Sequence, residues 1–193
     1  MARSHVAVGL ASWVVAAPLL HLPVFDPLSA ALVVAGSLLP DVDHPASWVG
    51  RRVRPVSTVL AAVLGHRGVT HSAVAIVGLA AALLQARYAH AHVWPLVVGY
   101  ASHLVADMLT PRGLRLAWPL QRTWGLPLCR TGSATEAVIV VLICAGAVWS
   151  LQRGSTQGEA WRRSLGISVT ISSEPRPRLP AQGSKTTWTR VLG

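Results

Sequence analysis

The sequence predicts an all-α fold, a polytopic membrane helix bundle of about four to five helices followed by a disordered C-terminal tail. Hydrophobic residues make up 52% of the chain and charged residues only 12%, whereas about 25% of the residues of a typical soluble protein are charged. The apolar residues are gathered into separate segments, and the last part of the chain lacks sustained periodicity. So few charges could hardly cover a water-exposed surface, and a surface that faces lipid accommodates this composition.

Five apolar segments predict the helices, and they lie at residues 6–22, 27–39, 69–89, 93–109 and 137–151. None is an uninterrupted run of about 20 apolar residues, which is the usual length of a spanning helix. Several contain proline, histidine or aspartate, and polar groups at membrane depth normally face the interior of a bundle. We therefore expect the helices to pack with their polar side chains inward.

The regions around these segments complete the predicted organisation. The first segment could be a signal peptide, but no convincing small-x-small cleavage site precedes a polar mature start, so we interpret it as a retained helix. Residues 53–64 resemble a short helix on the membrane surface. Residues 155–193 are rich in Ser, Gly, Pro, Thr and Arg and are predicted to be disordered. The chain thus divides into a membrane domain, residues 1–152, and a basic tail, residues 153–193.

Arginine placement predicts the orientation of the chain in the membrane. The formal net charge is +10, and the loops after the second and fourth segments are both rich in arginine. Because positive residues collect on the cytoplasmic side, these loops and the N-terminus are expected to be cytoplasmic if all segments span. The same count places the basic tail outside, against the rule, unless one segment is re-entrant. The tail lacks a reading helix or finger, so we expect no direct nucleic-acid binding.

Polar residues that interrupt the apolar pattern form the candidate site. Under the predicted topology they all fall toward the same membrane face, whereas the three other histidines lie toward the opposite face. Residues scattered for packing alone would not be expected to sort in this way. The set consists of His5, Asp41, Asp43, His44, His66, His71, His103, Asp107 and Glu136.

The spacing of these residues favours a metal site. His103 and Asp107 are four residues apart and share one helix face, so they can hold one cation at about 2.0–2.2 Å. Asp41, Asp43 and His44 supply further ligands within one short stretch. Histidine and carboxylate ligands without cysteine suit zinc, which is our first expectation, or manganese or iron. The candidates exceed the four ligands of a closed site, which favours an open site or two metals.

Each candidate residue receives a role from this interpretation. Asp43 and Glu136 are predicted catalytic residues, acting as the general base or as orienting groups. Arg67 and Arg112 are weaker candidates for contacts with an anionic substrate group such as phosphate. The predicted metal ligands are His5, Asp41, His44, His66, His71, His103 and Asp107.

Structural interpretations of the same residues stay open at this point. His103 and Asp107 could satisfy each other as a hydrogen-bonded pair inside a bundle. Asp41 and Asp43 lie beside prolines and could be turn or cap residues. His66 could stabilise its loop, and loop arginines already have a topological explanation. The complete set is harder to attribute to packing than any single member.

Three motifs also indicate a family. LLPDVDHP, GHRGVTHS and GYASHLVADMLTPRG, in this order, resemble the YdjM family, which is described as LexA-regulated, inner-membrane-associated, metal-dependent hydrolases. The resemblance covers about residues 5–150, and His5 and Glu136 also stand where the family pattern has His and Glu. It implies an inner-membrane location, the polar set above as the site, and a hydrolase activity. The LexA connection concerns control of expression.

The sequence therefore predicts a multi-pass inner-membrane protein that hydrolyses its substrate with a metal-activated water at the cytoplasmic face. A phosphate ester or a lipid is the expected substrate class, and membrane lipids are the expected partners. Two alternatives belong to other classes. One is metal transport or sensing, because intramembrane His and Asp also mark ion pathways. The other is a non-catalytic structural protein whose polar cluster only holds helices together.

Overall fold

The computed structural model describes residues 2–64 and 68–164 of the chain. Within these ranges there is no β-strand, only an isolated bridge between Leu114 and Trp124, so the all-α prediction is confirmed. Two 3-10 turns, Pro40–Asp43 and Val69–His71, follow the second helix and precede the fourth. The helices are α1 (Ala2–Leu19), α2 (Pro27–Leu38), α3 (Arg54–Leu64), α4 (Ala73–Gln85), α5 (His90–Met108) and α6 (Ala134–Ser164).

One helix in the described ranges is long and apolar enough to cross a membrane. It is α6, through Ala134–Gly154, with a mean hydropathy of 2.0. Only 6% of that stretch is buried, and Val138, Val141 and Leu142 are exposed along it, as expected for a helix in contact with lipid. Helices α3 and α4 are apolar but shorter, so a larger number of spans stays a prediction.

The largest differences from the predicted bounds occur in three helices. Helix α1 starts earlier than its apolar segment and therefore contains His5. The third segment is divided at Ser72, whose hydroxyl accepts the N–H of Ala75 and caps α4. Helix α6 continues to Ser164, past the predicted domain boundary. The chain divides into two compact units, Met1–Gln157 and Gly158–Gly193. The disorder predicted for residues 155–193 is wrong for residues 155–164, which are helical, and the rest of that segment lies outside the described residues.

Helix α5 is the centre of the first unit and packs against α1, α2 and α4. It approaches α2 most closely at two glycines. A Cβ on Gly36 would lie 2.1 Å from the carbonyl oxygen of Leu96, and a Cβ on Gly99 would lie 2.2 Å from that of Val33. Small residues allow helix backbones to approach in this way. The contact fixes the end of α2 against the second half of α5, where most of the polar candidates lie.

Asp26 caps the N-terminus of α2 at the other end of the bundle and gives a pH-dependent contribution to stability. Its carboxylate accepts the backbone N–H of Ser29 at 2.7 Å and the Ser29 hydroxyl at 2.8 Å. These hydrogen bonds hold the pKa of Asp26 below its usual value. A carboxyl group with a lowered folded-state pKa stabilises the fold above its unfolded pKa, and this contribution is lost as the pH falls through the folded pKa.

We therefore expect Asp26→Ala to be less stable than the parent at neutral pH. The difference should shrink in acid, and thermal unfolding in detergent at about pH 7 and about pH 3 measures it. Asp26→Asn is the matched control, because it keeps an acceptor without the charge and should show less pH dependence than the parent. A destabilisation by Asp26→Ala that is the same at both pH values would contradict this role.

Candidate metal centre

Five side chains from four parts of the fold converge at one end of the bundle. His5 comes from α1, Asp41 from the turn after α2, His71 from the turn before α4, and His103 and Asp107 from the last turns of α5. This is the end where α2 and α5 finish and where α1 and α4 begin. The five side chains therefore lie together at one end of the bundle, and their position at one membrane face stays a prediction.

The spacing of four of these side chains matches a metal site better than a hydrogen-bonded cluster. Nε2 of His71 lies 4.0 Å from Oδ1 of Asp41 and 3.9 Å from Oδ2 of Asp107. Nε2 of His103 lies 3.9 Å from each of the same two oxygens. Hydrogen bonds would need about 2.7–3.2 Å. Tetrahedral ligands at about 2.0–2.2 Å from an ion stand about 3.3–3.6 Å apart. Each of these four distances lies a few tenths of an ångström above that range, so a small contraction would bring each histidine–carboxylate pair to coordination spacing.

His5 adds a fifth group to the cluster. Its Nε2 lies 3.6 Å from Oδ1 of Asp107, and its ring stacks on that of His103 with the centroids 3.9 Å apart. Asp107 thus presents one oxygen to His5 and the other to His71 and His103. Two overlapping groups could each hold an ion, one formed by His5, His103 and Asp107 and the other by Asp41, His71 and His103. His103 belongs to both groups but has one nitrogen that faces the cluster, so it can bind an ion in only one of them at a time. Asp107 has two oxygens that face different histidines, so it is the residue that could bridge two ions.

A backbone carbonyl orients His103. Its Nδ1 lies 2.7 Å from the carbonyl oxygen of Ser37, so the ring donates its Nδ1–H there and its Nε2 lone pair faces Asp41 and Asp107. Ser37 lies beside Gly36, where α2 and α5 touch, and the close helix contact therefore places this carbonyl. A metal-binding histidine almost always donates its second nitrogen to such a partner.

A buried hydrogen-bond network lies behind His71. Nδ1 of His71 is 3.6 Å from Oδ2 of Asp43 and 3.1 Å from the hydroxyl of Thr70. That hydroxyl also donates to Asp43, and the Tyr100 hydroxyl donates to the Thr70 carbonyl oxygen at 2.5 Å. Asp43 is fully buried and adjoins the nitrogen of His71 that points away from the cluster. The geometry favours the orienting role that was one of the two predicted for Asp43.

Burial shows that the cluster needs a further partner. His71 and His103 are fully buried, and Asp107 is 5% exposed. Within the described ranges, Nε2 of His71 and Nδ1 of His5 are buried without a hydrogen-bond partner. A buried polar group left without a partner costs about 1–3 kcal/mol. A divalent cation between Asp41, His71 and His103 would give Nε2 of His71 a partner, so the donor set fits a metal.

A cavity of about 400 Å³ opens onto the cluster. His5, Asp41 and Asp107 form its inner wall, and Asp41, with 21% of its side chain exposed, is more open to it than the other carboxylate. Arg112 is the basic residue of this cavity that the sequence analysis predicted to contact the substrate. The other arginines were explained by the membrane topology. The cavity brings a tryptophan and three arginines toward the cluster, namely Arg3, Trp48, Arg51 and Arg112.

Three other predicted site residues do not contribute to the converging ligand atoms of the described chain. One of them lies elsewhere in the structure, and two lie outside the described residues. His44 ends the turn that carries Asp41 and lines the cavity. It belongs to neither of the two possible ion-binding groups found among the described residues. The predicted ligand His66 and the predicted substrate contact Arg67 lie outside the described residues.

Glu136 has a structural partner at the start of α6. Its backbone N–H donates to the Ser133 hydroxyl at 3.2 Å, and its carboxylate accepts the N–H of Gly132. This reciprocal arrangement is close to a capping box. Glu136 also lines a second, narrow cleft together with His5, but its carboxylate is not among the converging ligand atoms. The predicted role of Glu136 in catalysis therefore stays a prediction, with helix capping as its observed geometry.

Comparison with known proteins agrees with the membrane character of the chain. Residues 1–173 match the family described as YdjM inner membrane protein. Inner membrane protein YdjM of Escherichia coli (strain K12) and that of Shigella flexneri are each 38% identical over 119 residues, which is 58% of this chain and 61% of the relative. The match thus spans about three fifths of those relatives. Uncharacterized protein YvsG of Bacillus subtilis (strain 168) is 34% identical over 143 residues, 72% of this chain and 86% of the relative. No solved structure matches the chain.

Proposed function

Since this chain belongs to the YdjM family of inner membrane proteins, we propose that it is a membrane-bound, metal-dependent hydrolase. The observation that carries the proposal is the convergence of ligand atoms from His71, His103, Asp41 and Asp107 beside a cavity large enough for a substrate. A site that only held helices together would need no such cavity. A pathway for ions would place ligands along the membrane depth, and the cluster lies at one end of the bundle.

The donor set suits a divalent ion, with zinc as the first expectation and manganese or iron as alternatives. Such an ion, when bound, supplies a water that is a nucleophile near neutral pH. The chain's own residues supply the rest. His5, Asp41, His71, His103 and Asp107 hold the ion.

The surrounding residues divide the remaining tasks between orientation and proton transfer. The Ser37 carbonyl orients the ring of His103. Asp43 lies beside Nδ1 of His71, the ring nitrogen that points away from the cluster. Asp41 lies on the cavity wall and is partly exposed, so the carboxylate oxygen of Asp41 that does not hold the ion can accept a proton from a water in the cavity. Asp43 acts through His71 and is a positioning residue.

The location of the site follows from the loops around it. Arg51 and Arg112 belong to the arginine-rich loops and both line the cavity. The positive-inside rule therefore supports a site at the cytoplasmic face of a multi-pass protein. Helix α6 supplies one membrane span by length and hydropathy.

A hydrolysis assay on detergent-purified protein tests this function. Wild-type protein loaded with zinc or manganese should hydrolyse a phosphate monoester or diester, for example p-nitrophenyl phosphate or bis-p-nitrophenyl phosphate, and a chelator should stop the reaction. His71→Ala should lower kcat/KM by about 100-fold or more, and Asp43→Asn by about 10–100-fold through poorer orientation of His71. The reduction in Asp43→Asn should be accompanied by weaker metal affinity.

The matched control is His92→Ala, because His92 is exposed near the start of α5, at the far end from the cluster. It should retain wild-type turnover and metal content. Equal turnover in folded His71→Ala and wild type would contradict the proposal. So would a metal-loaded wild type that hydrolyses neither soluble esters nor phospholipids.

A further inference from the structure

The cavity beside the metal cluster carries more positive than negative charge. Its lining includes three arginines, Arg3, Arg51 and Arg112, and two aspartates, Asp41 and Asp107. A divalent ion would make it more positive. The arginines come from α1, from the loop after Asp43 and from the loop after α5, so the fold brings them together from distant parts of the chain. Loop topology explains why arginines are present but not why they converge on this cavity.

Three arginines on the lining of one cavity favour a phosphate ligand. A guanidinium presents a planar fork of donors that binds phosphate oxygens in a bidentate manner. A phosphate among Arg3, Arg51 and Arg112 would adjoin the same wall as Asp41 and Asp107, which belong to the metal cluster. The phosphorus of such a ligand would therefore lie next to the reacting water.

A second, apolar cleft begins where the cavity ends. It shares His5, Asp107 and Thr131 with the cavity. Apolar side chains of α1, α5 and α6 form much of its remaining wall, among them Val8, Val105, Leu109, Ile139, Val140 and Ile143. Its volume is only about 50 Å³, so it is a narrow passage that an acyl chain could enter only if these helices moved apart. Only 6% of the apolar stretch of α6 is buried, so if this helix spans the membrane, the passage would lie beside the surrounding hydrocarbon.

Trp48 supports a cavity mouth at the height of lipid headgroups. It lines the cavity, is 47% exposed, and carries the Arg52 guanidinium 3.5 Å above its ring. Tryptophan is enriched at the membrane–water interface, with its ring at headgroup level. A water-soluble ester would use the arginines but would need neither the interfacial position nor the apolar passage.

We infer that the substrate is a phosphate-bearing membrane lipid, with its phosphate among Arg3, Arg51 and Arg112 and its acyl chain leaving through the cleft between α1, α5 and α6. The chemistry of this inference rests on the proposed hydrolase function. The oxygen of water forms a bond to phosphorus while the phosphorus–oxygen bond to the lipid alcohol breaks. One proton of the water passes by way of Asp41 to the departing alkoxide, so the products are a lipid alcohol and inorganic phosphate.

A measurement of lipid binding tests the lipid site independently of hydrolysis. The full-length, metal-loaded protein in detergent is titrated with dioleoyl phosphatidic acid, dioleoyl phosphatidylcholine and glycerol 3-phosphate at low temperature, and bound ligand is measured by native mass spectrometry. We expect tighter binding of phosphatidic acid than of the other two ligands. Arg51→Gln and Arg112→Gln should each weaken it about 10-fold or more.

Two further variants control the experiment. Arg115→Gln changes an exposed arginine of the loop after α5 that does not line the cavity, and it should bind as wild type does. Ile139→Trp fills the cleft and should weaken binding of phosphatidic acid while leaving glycerol 3-phosphate binding unchanged. Metal content shows that each variant keeps the site.

The outcomes distinguish the lipid site from the hydrolase. Binding of phosphatidic acid that Arg51→Gln and Ile139→Trp leave unchanged would overturn the inference, as would equal binding of phosphatidylcholine. Hydrolysis of soluble esters without binding of phosphatidic acid would overturn it while the hydrolase stands. Arginine-dependent binding of phosphatidic acid without turnover would support the lipid site and overturn the hydrolase.

Discussion

Replacing both His103 and Asp107 with alanine is expected to remove the metal from the purified protein. His103 belongs to both groups that could hold an ion, and Asp107 turns one oxygen to His5 and the other to His71 and His103. Loss of a group that merely orients a ligand costs about 10–100-fold in metal affinity, so loss of two ligands should cost about 1,000-fold or more. Elemental mass spectrometry should find stoichiometric metal in wild type and almost none in the double variant.

A double variant of the far end, His90→Ala with His92→Ala, is the matched control. Both residues are exposed at the start of α5, and the control should keep wild-type metal content. Helical circular dichroism shows whether each protein is folded. A folded His103→Ala/Asp107→Ala protein that keeps its metal would place the ion elsewhere. If folded wild-type protein bound no metal even after loading, the cluster would serve only to hold the helices together, and the proposal of a hydrolase would lose its basis.

Substituting alanine for Gly99 is expected to destabilise the bundle and to weaken the metal site at the same time. The new Cβ would lie 2.2 Å from the carbonyl oxygen of Val33 and 3.0 Å from the backbone nitrogen of Ser37. Backbone atoms cannot rotate aside as a side chain can, so α2 would have to shift. Overpacking costs about 1–3 kcal/mol and sometimes more. The shift would carry the Ser37 carbonyl away from His103, so metal affinity should fall as well.

The chain offers a control for the same chemical change. A Cβ on Gly78, in α4, would meet nothing within 4 Å, so Gly78→Ala should leave stability unchanged or raise it by up to about 1 kcal/mol through helix propensity. Thermal unfolding in detergent and metal titration measure both variants. If Gly99→Ala unfolded at the wild-type temperature and kept wild-type metal affinity, α2 and α5 would not be in backbone contact in solution.

Much of the candidate metal centre could be predicted because its residues follow local rules. The spacing of His103 and Asp107 places them on one helix face whatever the rest of the fold does. Their position near the end of an apolar segment, together with Asp41 and His71 near the ends of two others, predicted the meeting point. The same periodicity predicted α3, which lies at Arg54–Leu64 against an expected 53–64.

Most features of the candidate site that could not be predicted from the sequence depend on contacts between distant parts of the chain. Asp41 and Asp43 are alike in sequence, but the turn that carries them sends one to the cavity and the other behind His71. The partner of His103 is a backbone carbonyl, and a carbonyl has no signature in sequence. Arg3 and Arg51 reach the cavity only through tertiary packing. Glu136 is different, because Ser133 three residues earlier is a capping-box signal that sequence inspection could have found.

The candidate ligands come from four parts of the chain, so metal binding would depend on how the chain is synthesised and inserted into the membrane. His5 is made first and Asp107 about a hundred residues later, so the complete ligand set exists only after α5 has been synthesised. If α1 packed in the reverse direction, its histidine would lie at the far end of the bundle, and the ion would be lost or weakly held. An ion that binds only the assembled ligand set favours correctly oriented chains over misassembled ones by mass action. Metal occupancy would thus report on correct insertion in the cell, independently of any turnover.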